Sequence, residues 1–293
     1  MYPITTYALY NFTIPASFHQ VAFVPSLFQV VVMEDPNGKF SAYDLEKGNK
    51  VYHLEGLGSA GSLITFFGQA ISGMDGGQIL AWDLENQIFL GEIGNHGSWQ
   101  RVTALDASVS GPSLISGDEN GVVRYWNRGS GEKKILGEHD EIVDCVAISS
   151  DGETAVSGSI DGTIRLWNCQ YAKQSDTVDL GYRTLGLDFS QDGKYVINAS
   201  GYITKRERTT LDEVWTYSER DEVYFSCSFS MEDYFILCSG PGILSLLDAD
   251  TGDKLVTFEG QTGTILGMGF SLNGQQVYSA GDDGVVRVWR LPL

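Results

Sequence analysis

A glycine followed five residues later by an equivalent position recurs seven times along this chain: Gly38/Tyr43, Gly77/Trp82, Gly121/Trp126, Gly162/Trp167, Gly201/Arg206, Gly242/Leu247 and Gly284/Trp289. Successive second members stand 39 to 44 residues apart, so a single supersecondary unit of about 40 residues repeats from end to end. A unit of that size cannot bury both faces of its own sheet and must be covered by its neighbours. No Pro/Ser-rich linker or low-complexity stretch divides the 293 residues, and the reading is one domain, 1–293.

The clearest repeat shows what each unit is. After the Glu138-His139-Asp140-Glu141 turn comes an alternating run, Ile142 to Ser149. Ser150-Asp151-Gly152 leads into Thr154 to Ser159, and Asp161-Gly162 turns the chain into Thr163 to Asn168; Thr177 to Leu180 supplies a fourth, outer strand. β-branched runs of period two punctuated by Asp-Gly signal a four-stranded antiparallel meander.

Ser157-Gly158-Ser159-Ile160-Asp161-Gly162-Thr163-Ile164-Arg165-Leu166-Trp167-Asn168, with His139 upstream, resembles a WD-repeat signature, and Ala280 to Arg290 is similar to it. The resemblance covers essentially the whole chain. It implies an all-β, seven-bladed β-propeller, with blades near 18–56, 61–94, 101–138, 142–180, 183–218, 223–259 and 264–290. It also implies a hydrogen-bonded set of His139, Ser157, Asp161 and Trp167, complete by sequence only in the blade at 142–180. A His, Ser and Asp are also the inventory of a hydrolase triad, but in this family they are buried scaffold positions. The last repeat ends at Leu291-Pro292-Leu293 after three strands, whereas Ile4 to Phe12 has strand character and no repeat of its own. Residues 1–12 are therefore expected to close the ring as the outer strand of the last blade, removing an exposed edge.

Composition narrows the function. The opening, Met1 to Phe12, lacks the basic and apolar regions of a signal peptide, and nothing approaches the ~18 consecutive apolar residues of a membrane helix. The expectation is an intracellular protein, cytoplasmic or nuclear. Cys145, Cys169, Cys227 and Cys238 have no CxxC spacing and fall mostly in strands, as reduced, buried thiols do. His19, His53, His96 and His139 form no zinc motif. Asp248 to Asp253 resembles the start of a calcium loop but lacks its closing Glu. No catalytic motif, metal site or cofactor is expected. With 38 acidic against 19 basic residues, a net charge of −19, direct binding to nucleic acid is disfavoured.

What remains is surface. The resemblance places the loops before each first strand and the turns between second and third strands on one face. That face would carry Asp35, Asp75, Asp118, Glu119, Asp140, Glu141, Asp161, Asp221, Glu222, Asp282 and Asp283, interspersed with Trp99, Arg101, Tyr182, Arg183 and Tyr224. Aromatic and Arg side chains most often dominate interface energies, so the expectation is a non-catalytic scaffold or adaptor that docks other proteins in a hetero-complex, with a reader of a short basic or modified peptide on this face as the alternative. The aromatics could instead pack on the loop, and the aspartates could serve only the turns. A propeller enzyme with a channel-bound metal is the remaining alternative. The fifth repeat departs from the pattern: Lys205 and Arg206 stand where the fourth has Leu166 and Trp167. They are expected either to pair locally with Glu207 or Glu213, or to form a basic notch for an acidic partner.

Overall fold

The computed structural model describes residues 3–15, 18–34, 39–54 and 58–292. Gly38 and Asp35, the first two residues of the closing segment and the end of the first blade at 55–56 lie outside the described residues. Seven antiparallel sheets follow one another along the chain, with strands paired in sequence order. Their innermost strands, which number the blades here, are Phe18–Val24, Ala60–Phe66, Val102–Ala107, Val143–Ile148, Gly186–Phe189, Ser226–Phe229 and Ile265–Phe270. Within a blade the strands are lettered a to d from the axis outward.

A sheet covered on both faces needs apolar or small residues at consecutive positions, not only alternate ones. Strand b of blade 3, Ser113–Asp118, is buried at every residue, and strand b of blade 4, Thr154–Ser159, at all but the first. The core is correspondingly a ring of clusters, each between two neighbouring sheets. Met33, Phe40 and Trp82 join blades 1 and 2; Val123, Val146 and Trp167 join blades 3 and 4. Val30, Val32, Tyr278 and Val288 join blade 7 back to blade 1.

Glycine is required where a b–c turn meets the loop entering the next blade. Gly121 has φ 86° and a Cβ there would lie 2.3 Å from the His139 carbonyl oxygen, an approach no other side chain permits. Gly77 is held in the same way, a Cβ there lying 2.0 Å from the Gly97 carbonyl oxygen, whereas Gly201 has open space at that point.

The closing segment divides its pairing, which corrects the expectation of one continuous outer strand for blade 7. Only Tyr10–Thr13 takes that place, antiparallel to Val285–Arg290. Ile4–Tyr7 instead runs parallel to Lys254–Glu259 and becomes a fifth strand of blade 6. The partner strand in blade 7 offers six residues and is satisfied by Tyr10–Thr13 together with the Leu9 amide, which donates to the Val288 carbonyl at 2.7 Å. The residues before it pair with the open edge of blade 6, where backbone groups would otherwise lack partners. One segment thereby straps two blades.

Candidate functional site

In each antiparallel blade the b–c turn and the loop from strand d to the next strand a emerge on one face of the disc, and the a–b and c–d turns on the other. Beneath the first face lies a buried hydrogen-bond network. In blade 4, Trp167 Nε1 donates to Ser157 Oγ at 2.8 Å, Ser157 lies 2.7 Å from His139 Nε2, and His139 Nδ1 lies 3.1 Å from Asp161 Oδ2. Burial pushes the His139 pKa below its ordinary value despite Asp161. The neutral ring therefore accepts at Nε2 and donates from Nδ1. Burial alone would raise Asp161, but hydrogen bonds from Thr163 and the Asp140 amide hold it down at about 2. The relay ties the incoming loop to strands b and c, and Ser157 at its centre is wholly buried.

Blade 3 holds a second complete set, so the blade at 142–180 is not alone. His96 Nδ1 lies 2.8 Å from Asp118 Oδ2, His96 Nε2 lies 2.6 Å from Ser116, and Trp126 Nε1 donates to Ser116 Oγ at 2.8 Å. The carboxylate comes from the end of strand b, two residues before the turn position occupied by Asp161 in blade 4. Asn120 stands in that turn position and donates its amide to Asp118. Asp118 is wholly buried and does not belong to the surface acids; Arg124 also donates to it, at 2.8 Å. Blade 7 shows a substitute: Gln261 Nε2 donates to Ser279 Oγ at 2.7 Å, and Arg287 bridges Gln261 and Asp283 at 3.1 and 2.7 Å.

The fifth blade corrects the notion of a basic notch. Lys205 and Arg206 are 4% and 6% exposed, too buried to meet a partner. Arg206 fills the slot of Trp167, and its Nε donates to Asn198 Oδ1 at 2.9 Å, where Asn198 holds the place of Ser157. Its Nη1 donates to the Leu211 carbonyl at 3.0 Å. Lys205 Nζ donates to the Ala249 carbonyl of blade 6 at 2.7 Å and lies 4.0 Å from the centre of the Tyr195 ring. Carbonyl oxygens and a π face hold the two cations, with Glu213 attracting Arg206 and Asp250 standing 3.9 Å from Lys205 Nζ.

On the surface of this face the expected residues separate. Trp99 is 86% exposed, held with φ 64° on the loop between blades 2 and 3. Arg101 lies 3.0 Å from Asp75 and its amide donates to Glu119, so it braces that loop. Arg183 forms a two-point ion pair with Asp144, clamping blade 5 to blade 4 while half its side chain stays in solvent. Asp140 and Glu141 are exposed, and exposed Asp282 accepts the Thr264 amide at 2.8 Å. Tyr182 is 46% exposed and packs edge-on against Tyr202, 48% exposed, with centroids 6.3 Å apart.

Tyr224 is fully buried and is withdrawn from the docking set. Its backbone pairs with Gly201 in both directions at 3.1 Å, which turns the side chain inward to Tyr217 and Glu222. Val223, one residue earlier, points outward instead. Sequence reading missed Tyr202 and Ile160, both exposed on b–c turns beside Tyr182. The Tyr182 amide abuts Gly162 of the same turn as Ile160. The signal for Ile160 was an apolar residue where the turns of blades 3 and 7 have Glu119 and Asp282; Tyr202 carried none, since it follows the repeated glycine, where Val122, Ile243 and Val285 are also apolar.

Among the described residues no group of three or more His, Cys, Asp or Glu side chains is placed to hold a metal ion, and no helix is long and apolar enough to cross a membrane. The four cysteines are free and buried. Residues 88–127, 131–168 and 252–290 match the family described as WD domain, G-beta repeat. Each match starts in the turn before strand d of one blade, or within that strand, and ends with strand c of the next. No curated protein gives a significant match to the chain.

Proposed function

Because the chain is a WD-repeat β-propeller, a fold that commonly serves as a protein-interaction scaffold, we propose that it works as a non-catalytic adaptor within a larger assembly and docks partner proteins on the loop face. The observation that carries this reading is the exposed cluster of Ile160, Tyr182 and Tyr202 on adjoining turns of blades 4 and 5. Such rings bring a large apolar area at little entropic cost, because the turns that carry them are already fixed. Asp140 and Glu141, exposed on the loop before blade 4, favour a partner segment bearing Lys or Arg and make association weaken with salt. Trp99 offers a separate contact above blades 2 and 3. Free thiols fit a reducing, cytoplasmic or nuclear site of action.

The reading is tested by affinity capture of the tagged protein from its native extract with crosslinking mass spectrometry, beside a folded Tyr182→Ala/Tyr202→Ala variant. Partners crosslinked to this face in the parent and lost from the variant are the expected result. The same partners on both would sink the loop-face reading. A short basic peptide that alone reproduced the binding would mark the protein as a peptide reader.

A further inference from the structure

The opposite face carries the a–b turns, and these differ sharply round the ring. In blades 4 and 5 they read Ser149-Ser150-Asp151-Gly152 and Ser190-Gln191-Asp192-Gly193. Ser149 donates to Asp151 at 2.6 Å and Ser190 to Asp192 at 2.8 Å. Neighbouring turns are also linked: the Ser110 amide donates to the Ser150 carbonyl, Ser150 Oγ to the Gln191 carbonyl, and the Gln191 amide to Asp233.

In the other five blades the same turns hold Met231 and Tyr234, Leu272, Phe28, Phe67 and Val109, from 42% exposed at Val109 to 75% at Phe67. These are blades 6, 7, 1, 2 and 3, which are consecutive once the ring is closed. The apolar positions therefore form an arc, and it deepens into a cleft between Met231, Tyr234 and Leu272. Phe28 and Phe67 sit at φ 51° and 44°, in the left-handed region that Gly152, Gly193 and Gly274 occupy in blades 4, 5 and 7. A phenylalanine there is strained relative to glycine, and although the Phe67 ring packs edge-on against Phe66 with centroids 4.5 Å apart, three quarters of the residue stays in solvent. The cleft shared by Met231, Tyr234 and Leu272 is contiguous apolar surface of the kind that marks an interaction site.

Charge decides the occupant. Exposed Glu46, Glu85, Glu232 and Asp250 border the arc against Lys47 and Arg290, on a chain of net charge −19. A second copy or an anionic bilayer would bring like charge to this face. We propose that the a–b turn face is a second docking surface, for an amphipathic, Lys/Arg-bearing segment of another protein that lays apolar residues along the arc. This site is independent of the loop face.

The test uses the full chain, a fluorescent amphipathic peptide of Leu and Lys about 14 residues long, and its Leu/Glu counterpart, read by anisotropy. The variant is Phe67→Asn/Leu272→Asn; Asn tolerates the left-handed turn, so its melting temperature should match or exceed the parent's. The expected result is binding of the Leu/Lys peptide that weakens at least about tenfold in this variant, persists in Tyr182→Ala/Tyr202→Ala, and exceeds Leu/Glu binding by a similar factor. No Leu/Lys binding, equal binding by parent and variant, or equal binding of the two peptides overturns the proposal. So does Phe67-dependent dimerisation in sedimentation, which would make a second copy the occupant. Phe67-dependent flotation with phosphatidylcholine/phosphatidylserine vesicles would overturn it in favour of lipid.

Discussion

Blades 4 and 5 solve one packing problem with different chemistry. Each needs a bulky side chain on strand c whose N–H reaches back to a polar acceptor on strand b. Blade 4 uses Trp167 and Ser157 at 2.8 Å; blade 5 uses Arg206 and Asn198 at 2.9 Å. In these two blades the slot takes a donor and a volume rather than one residue type, whereas blade 6 fills it with Leu247, which has no side-chain donor. The costs differ, because an indole is desolvated cheaply whereas a buried guanidinium needs several acceptors. Arg206 has two, Asn198 and the Leu211 carbonyl, and burial lowers its pKa.

Both blades depend on a closed ring, and the largest effect comes from opening it. Deleting residues 1–12 removes the strap over blades 6 and 7. The expected outcome is loss of the cooperative melt at room temperature or a large fall in melting temperature, with hydrogen-exchange protection vanishing first in those two blades. An unchanged melt would show that the ring closes without the strap.

Single truncations in the slot come next. Trp167→Ala and Arg206→Ala should each destabilise by about 3–5 kcal/mol in denaturant unfolding, the first through a cavity and the second through stranded polar partners. The two can be told apart: Arg206→Met should recover part of its loss by refilling the volume, whereas Trp167→Met should recover little. If Arg206→Ala cost no more than a surface substitution, the equivalence of the two slots would fail.

pH separates the blades further. The His139 pKa is depressed by burial, so below its ordinary value the unfolded chain binds a proton that the fold refuses, and stability falls as pH drops. Asp188, on the inner strand of blade 5, is raised by burial from 3.8 to about 6 although it accepts the Phe229 amide. Its contribution has the opposite sign: full at low pH, and lost as pH rises through about 6. His139→Gln, which copies Gln261 of blade 7, should flatten the acid limb of the stability curve. Asp188→Asn should flatten the fall between about pH 4 and 6, an effect on the order of a few kcal/mol. Parallel curves for parent and both variants would remove the distinction. The smallest expected effect is the exchange itself: Asn198→Ser/Arg206→Trp, which gives blade 5 the pair of blade 4, should change stability by about 1 kcal/mol.

How legible the site was depended on the kind of information each residue carried. The Gly-to-Trp spacing and period-two runs are local, and they place strands, turns and the loop face without reference to neighbours. Tyr182 could be placed on that face because its turn is local. Tyr224 could not, because its direction is set by pairing with Gly201 in the preceding blade. Asp118 was misassigned because its carboxylate meets His96 from a strand end two residues away from the turn position. The partner of Lys205 was not legible, because its acceptor, the Ala249 carbonyl, lies 44 residues away in the next blade.

By itself the sequence determined the repeat, the seven sheets and the face on which loops gather, since these follow from the period of side chains and from turn chemistry within about 40 residues. Only the tertiary structure decided which polar residues are buried, how the first residues divide between blades 6 and 7, and that apolar turns of five blades form one arc. Those outcomes are set by contacts between repeats, where the partner of a donor, an edge or an exposed ring lies on another sheet and its identity is not written in the local pattern.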